Sequence, residues 1–582
     1  MKTKKIKLGL LALVFLFGAC NKDFLELYPL DEISSESFWK TANDVKLYTN
    51  TFYPQVFSVS GSDRYEEIFS EEIDTDDMVF VFASPRLRGS RQIPATGGWD
   101  YGRIRSLNYF LENYKTVEDD FDQYKAQVGE IRFFRAYTYF DLVKSYGDVP
   151  WIGKTLTLDS EELNSVRSPR NVVIDSIIAD LDIAIDLLPA GNIDGKTRLN
   201  KNIAKLFKAR VGLFEGTWEK YHDGTVFGVA NSDPEKYLSM AVTESADIIE
   251  SGDYQIHNTG NPEWDYFMFG EIDYSENPEV LMWKEYNREL GMVSGRQYQM
   301  ANGNSGGSGI TKNFVESYLV IDGKPITNPD GTPNPLYMGD GTISSTFENR
   351  DPRAKQTIFT PGFPIRINPG NDTIKYVRAA VDAPAHTKNT TGYQLNKGLN
   401  WDPIHSNLSQ LDGGTTGKIL FRYAEALLIF AEAKAELGIL TQADLDISIN
   451  KLRDRVAMPH MVMGSIQTDP NWVFPSLSPL INEIRRERRV ELVAEGFRWN
   501  DIARWAAADE LVTGKRYLGA KFNKIDYPDL SPENFTLTDG YFDELKKQIP
   551  NGYGFVLDRD YLDPISTEEL NLNPDLKQNP NW

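Results

Sequence analysis

The sequence predicts an all-α protein, a scaffold of helix pairs broken by a long loop-rich insertion and closed by an irregular C-terminal tail. Three observations carry this reading. Apolar residues recur at helical spacing in blocks up to residue 251 and again over 416–508. Small residues stand at points where such helices would cross, as at Ala204, Ala209 and Gly212. Between 252 and 415, Gly, Pro, Asn and Asp become frequent and the helical period fades.

In chain order, Lys2, Lys4, Lys5 and Lys7 precede an apolar or small run from Leu8 to Ala19. That is a charged region followed by a short hydrophobic one, the pattern of a secretory signal over 1–19. It falls short of the ~20 residues a membrane-spanning helix needs. The run ends at Phe17-Gly18-Ala19-Cys20, and Cys20 is the single cysteine of the chain. This resembles a bacterial lipobox, with Phe17 where leucine is commoner. One cysteine allows no disulfide framework, so the 582 residues must be held by their core. Residues 20–31 read as a lipidated tether and 32–582 as one domain.

Helical blocks follow at about 36–57, 103–117, 119–146, 170–188, 199–220 and 234–251, and again at 416–437, 440–456 and 478–508. The scaffold is therefore about 32–251 plus 416–508, the variable region about 252–415 and the tail about 509–582. Ala431, Ala433 and Ala435 precede a Leu437-Gly438 stop and a second amphipathic stretch, and Ala241 and Ala246 answer Ala204 and Ala209. Helix pairs of this size with small residues at the crossing make the scaffold tetratricopeptide-like. Ala301–Gly309, ANGNSGGSG, reads as the most flexible stretch.

The chemistry the chain lacks narrows its function. His222, His257, His386, His405 and His460 show no metal-ligand spacing. Gly303-Asn304-Ser305-Gly306-Gly307 matches GxSxG but sits in a glycine-rich loop, without the strand and helix that a nucleophile elbow requires. No GxxxxGK[ST] string occurs. The net charge of -22 becomes -26 once the four lysines of the leader are removed, which opposes nucleic acid as a partner. Asp74, Asp76 and Asp77 form a candidate structural calcium cluster. Arg485, Arg486, Arg488 and Arg489 interleave with Glu483, Glu487, Glu491 and Glu495 and with apolar residues, which reads as a packed helix tying neighbouring segments together.

Several strings then resemble one family: EIRFFRAYTYFDLVKSYGDVPW at 130–151, RSPRNVVIDSIIADLDIAIDLLP at 167–189, RYAEALLIFAEA at 422–433, INEIRRERRVELVAEGFRWNDIARW at 481–505 and YLDPISTEELNLNPDLKQNPNW at 561–582. In this order they are similar to the SusD/RagB family of outer-membrane nutrient-binding lipoproteins. The resemblance implies a SusD-like helical fold without catalytic activity or cofactor. It implies Cys20 acylated with chains such as palmitate, on the surface of a Gram-negative outer membrane, with the lipid as the sole membrane contact. It further implies a SusC-like TonB-dependent transporter as partner, the chain forming its lid, and an oligosaccharide as ligand. A helical glycoside hydrolase or lyase, and a surface protein without a small ligand, remain the alternatives.

The quoted motifs belong to the scaffold, so candidate ligand residues come from chemistry. Sugars are held by aromatic faces with polar side chains around them, and 28 Tyr and 11 Trp supply candidates. Segment 74–103 offers Asp76, Arg86, Arg88, Arg91, Trp99 and Tyr101. The variable region offers Trp264, Tyr266, Arg296, Tyr298, Tyr393 and Trp401.

Overall fold

The structure, a computed structural model, describes residues 38–57, 72–368, 370, 372–400 and 414–582. The expected leader, Cys20 and the tether lie outside the described residues, as does Trp401.

The scaffold is a run of antiparallel neighbours. Helix α1 (Ala42–Asn50) starts at a capping box in which Thr41 and Asp44 satisfy each other's backbone N–H. Then come α2 (Gly102–Asn113), α3 (Lys125–Tyr146), α4 (Arg170–Leu187), α5 (Lys201–Tyr221) and α6 (Pro234–Ser251). Their ends follow local chemistry. The Asn200 side chain accepts from the Ile203 N–H to open α5, Asp233 and Pro234 open α6, and Gly252 closes it in the left-handed region. Each helix packs on the next from α2 to α6, and α6 packs on α7 (Tyr423–Glu436) across the insertion. Helix α7 in turn packs on α9 (Pro479–Leu492), with α8 (Ile449–Arg455) between them in sequence and α10 (Arg498–Arg504) against α5.

The small residues act as their positions imply. A Cβ at Gly212 would lie 2.7 Å from the Tyr237 carbonyl oxygen, and one at Gly216 would lie 3.0 Å from that of Pro234. Helices α5 and α6 therefore meet backbone to backbone.

The insertion has its own apolar core, built on Phe314, Tyr318, Phe347, Ile358, Tyr376 and Tyr393 and reaching Val490 and Val493 at the end of α9. Short antiparallel strand pairs form within it and between it and the flanking chain. Strand β1 (Met78–Phe80) pairs with β3 (Ser308–Ile310), β2 (Val280–Lys284) with β6 (Lys418–Arg422), and β4 (Pro364–Ile367) with β5 (Thr373–Lys375).

The helix expected over 416–437 therefore begins as strand β6. A short apolar run such as Ile419-Leu420-Phe421 suits either period, and here its backbone bonds to β2, out of sight of local sequence. The block at 440–456 is likewise split, into Gln442–Asp446 and α8.

Helix α9 is the packed tie its sequence implies. Arg488 donates from Nε to Asp501 at 2.9 Å, and Arg489 donates to Asp76 and Asp77. Glu491 accepts from Arg353, Arg422 and Arg455 at 2.6–3.0 Å.

Candidate ligand-binding face

The structure divides the eleven candidate residues it describes into separate groups. Asp76 is wholly buried: Arg498 Nε donates to its Oδ1 and an Arg489 Nη to its Oδ2, each at 2.7 Å. Burial alone would raise its carboxyl, yet the two guanidinium groups hold it below the usual carboxylate range. Asp77, beside it, is pushed up by burial against the pull of Arg489, with the Asp76 charge adding to the rise. Asp74 pairs with Arg86 at 3.2 Å. The three carboxylates face guanidinium groups rather than a common cation. Among the described residues no group of three His, Cys, Asp or Glu side chains is arranged to hold a metal. The calcium candidate, and Asp76 as a ligand contact, are corrected accordingly.

Arg86 and Arg91 both donate to Asp563 and to the Asp560 carbonyl oxygen. Their guanidinium groups lie 4.5 Å from the Trp499 ring centroid and 4.8 Å from that of Trp582. They fasten the C-terminal tail to the 81–91 loop, a structural role in place of the expected ligand contact, while Arg88 is exposed on the same loop. Tyr266 and Tyr393 are corrected too. Both are buried, the Tyr266 hydroxyl donates to the Glu491 carbonyl oxygen, and Tyr393 packs edge-on to Phe347.

Trp99 and Tyr101 come together, ring centroids 5.9 Å apart, on the wall of a 690 Å³ groove between the start of α2, the 150–165 loop and the tail helix Thr567–Leu572. Trp99 is itself 8% exposed and packs edge-on to Tyr146. Arg296 instead lines a 350 Å³ cavity between α3, α5 and residues 494–501.

Trp264 and Tyr298 both belong to the loop-rich insertion. Trp264 is 41% exposed, its ring 6.0 Å from Phe363, which leads into β4 and is backed by Phe359. The short helix Arg296–Ala301 packs against β4. The contact is fixed by Arg366, which donates to Asn302 Oδ1 at 3.3 Å, while Asn302 Nδ2 donates to the Tyr298 carbonyl oxygen at 2.8 Å. From Asn302 the glycine-rich turn runs to Gly307, whose carbonyl oxygen accepts from the Val81 N–H at 2.9 Å. Gly303 and Gly307 have φ of +69° and +71°, which glycine adopts without strain. The turn is therefore built: Asn304 accepts from the Gly306 N–H and bonds Gln299. Ser305 is buried, with its Oγ accepting from Asn389, which removes it as a nucleophile.

Phe82, one residue beyond this junction, is 72% exposed. Sequence reading missed it, along with Phe363, Asn302 and Arg366. The available signal was Val79-Phe80-Val81-Phe82, in which alternation carries the last ring past the end of β1. The five chain steps from Asn302 to Gly307 span at most ~17 Å. Trp264 and Phe363 thus form one aromatic pair, while the Arg366–Asn302 contact and the exposed Phe82 stand near the two ends of the glycine-rich turn. Such aromatic and polar groups suit the C–H faces and hydroxyls of a sugar.

Comparison with known proteins agrees with this architecture. SusD-like protein P38 of Formosa agariphila is 27% identical over 534 residues, covering 88% of this chain and 93% of its own. SusD-like protein P2 of the same organism is 24% identical over 521 residues, 87% and 92% respectively. A solved SusD-like protein from Bacteroides fragilis superposes with a TM-score of 0.70 at 24% identity, over 95% of this chain and all of its own. A SusD-like carbohydrate binding protein from the same species gives 0.70 at 21%, over 93% and 100%. Residues 92–213 match a family described as starch-binding and associating with the outer membrane. The SusD family model matches residues 268–582, more than half of the chain, and the chain belongs to the SusD family.

Proposed function

We propose that the protein captures an oligosaccharide on its loop-rich face and holds it at the surface of an outer membrane, as the lid of a SusC-like TonB-dependent transporter. The observation that carries the ligand class is Trp264, an exposed indole braced by Phe363, in an insertion that also presents the paired Arg366 and Asn302 side chains. An indole face takes up the apolar side of a pyranose, and neighbouring amide and guanidinium donors meet its hydroxyls. The family is one of binding proteins, not enzymes, and its starch-binding, outer-membrane description supports both ligand and location. An acylated Cys20 would supply the attachment.

Calorimetric titration of the purified protein against a panel of neutral and acidic oligosaccharides tests the reading. We expect saturable binding without products, and Trp264→Ala to weaken it about tenfold, ~1.4 kcal/mol. Unchanged affinity in Trp264→Ala, or release of shortened glycans, would overturn it. The transporter arm is checked by whether the barrel copurifies with the protein from solubilised outer membranes.

A further inference from the structure

The groove walled by Trp99 and Tyr101 is a surface of a different kind from the Trp264 pair. It measures 690 Å³, and Ile104, Ile152, Leu156, Leu163, Leu572 and Leu576 make its lining largely apolar. Its shape is fixed by α2, whose side chains hold the facing loop by its backbone. The Tyr101 hydroxyl donates to the Pro150 carbonyl oxygen at 2.8 Å, and Asn108 Nδ2 to those of Ile152 and Lys154 at 2.9 and 3.1 Å. Arg105 donates to that of Leu156. Asn573 donates to the Ser165 carbonyl oxygen at 3.0 Å, which ties the tail helix Thr567–Leu572 to the same loop.

Several polar groups of the lining are engaged in this construction. Lys154 pairs with Glu162, and Asp100 accepts from the Gly102 N–H. What the groove offers an occupant is therefore mainly apolar area. Leu572 is 69% exposed and Leu163 47%, and Leu158 and Val166 on the same loop are exposed as well. Single exposed leucines are ordinary, but several gathered beside one groove mark a surface that another segment covers.

The chain supplies such a segment nearby. Phe24-Leu25-Glu26-Leu27-Tyr28-Pro29-Leu30 is apolar or aromatic at every position but Glu26, whereas a linker that only spans distance is polar. The described chain begins beside the helix that walls the groove. Trp39 packs on Tyr109 and Phe110 of α2, ring centroids 6.0 and 5.4 Å away, and the Tyr48 hydroxyl donates to the Ser106 carbonyl oxygen at 3.0 Å. The eight chain steps from Leu30 to Phe38 reach up to ~28 Å. Helix α2 is only ~18 Å long, so the segment has the length to reach the groove at the far end of that helix.

We propose that this groove takes up residues 24–30 of the same chain. Cys20 stands four chain steps before Phe24, ~14 Å at most, so docking fixes which side of the body faces the anchor. That consequence alone rests on Cys20 being acylated; the docking does not. The test is disulfide trapping in the chain carrying Cys20→Ala and exported behind a cleavable secretory leader, which has no other thiol. Leu572→Cys, at a position too exposed to unsettle the core, is combined in turn with Phe24→Cys, Leu27→Cys and Leu30→Cys under mild oxidation. At least one pair is expected to close within the chain in most molecules, read by mass spectrometry of the digested protein. Ile525→Cys, 79% exposed beside the insertion core, is expected to close with none of the three. Independently, Leu27→Asp with Leu30→Asp is expected to speed hydrogen exchange of the 153–165 amides about tenfold, because the loop loses its cover. Disulfides between two chains in place of one would give the groove to a second copy and overturn the proposal. So would closure with Ile525→Cys as readily as with Leu572→Cys, closure at none of the three positions, or unchanged exchange in the Asp variant.

Discussion

Glu432 and His222 show at the residue scale how deeply this fold depends on charge state. Glu432 is buried, and although burial alone would raise its carboxyl, Arg504 and Arg488 pull it from 4.5 to about 2. Its folded value lies below its unfolded one, so its contribution is complete above 4.5 and is lost as pH falls toward 2. His222 is also buried. Burial holds it at about 3 instead of 6.5, while its Nε2 pairs with the Ala503 carbonyl oxygen at 2.8 Å and its ring stacks on Trp218. The unfolded chain therefore takes up this proton first, and stability falls with pH between 6.5 and about 3. Both groups act in the same direction. The melting temperature should decline steadily from pH 7 to pH 3, and His222→Phe should flatten the limb between 6.5 and 4.5. Parallel profiles for the two proteins would remove His222 from this account. The same scale explains why Asp76 misled sequence reading. Its charge was visible, but its arginine partners stand 413 and 422 residues further along the chain.

At the scale of elements, the α5–α6 contact offers the sharpest test. Replacing a helical glycine by alanine ordinarily stabilises by ~1 kcal/mol. At Gly212 the added carbon would stand 2.7 Å from the Tyr237 carbonyl oxygen and 2.8 Å from the Met240 methyl group. Met240 can turn away, whereas the Tyr237 backbone can move only with its helix. Overpacking of this kind costs ~1–3 kcal/mol, so Gly212→Ala should destabilise despite its better propensity, as read by urea unfolding. A stabilised Gly212→Ala would mean that the helices separate freely. This contact was legible because it is written in local spacing, with Ala204, Ala209 and Gly212 on one helix and Ala241 on the other. The same holds for α3, α4 and α6, whose bounds fall within a few residues of their apolar blocks. Strand β6 was not legible, because its pairing partner lies some 140 residues upstream. Nor was the pairing of Trp264 with Phe363, which stand far apart in sequence and meet only in the folded insertion.

For the whole molecule, the proposed place at an outer membrane raises the question of how so acidic a protein would be held there. Among the described residues no helix is long and apolar enough to cross one, and a net charge of -22 opposes adsorption to anionic lipid. On the function proposed above, attachment would come from a discrete anchor, and Cys20, behind its lysine-led apolar run, is the candidate for it. One acyl chain gives only marginal, reversible binding, ~10⁴ M⁻¹, so durable retention requires more than one chain on that cysteine. We expect Cys20→Ala, exported behind a cleavable secretory leader, to move from the outer-membrane pellet to the soluble fraction. Its melting temperature and its Trp264-dependent affinity for glycan should remain those of the parent, because the described core begins at Trp39 and owes nothing to the anchor. Retention of the variant in the pellet after a high-salt wash would place the attachment elsewhere, in a protein contact that survives without lipid. Loss of glycan affinity in the soluble variant would instead mean that the ligand face is completed only where the lipid holds it, against the transporter.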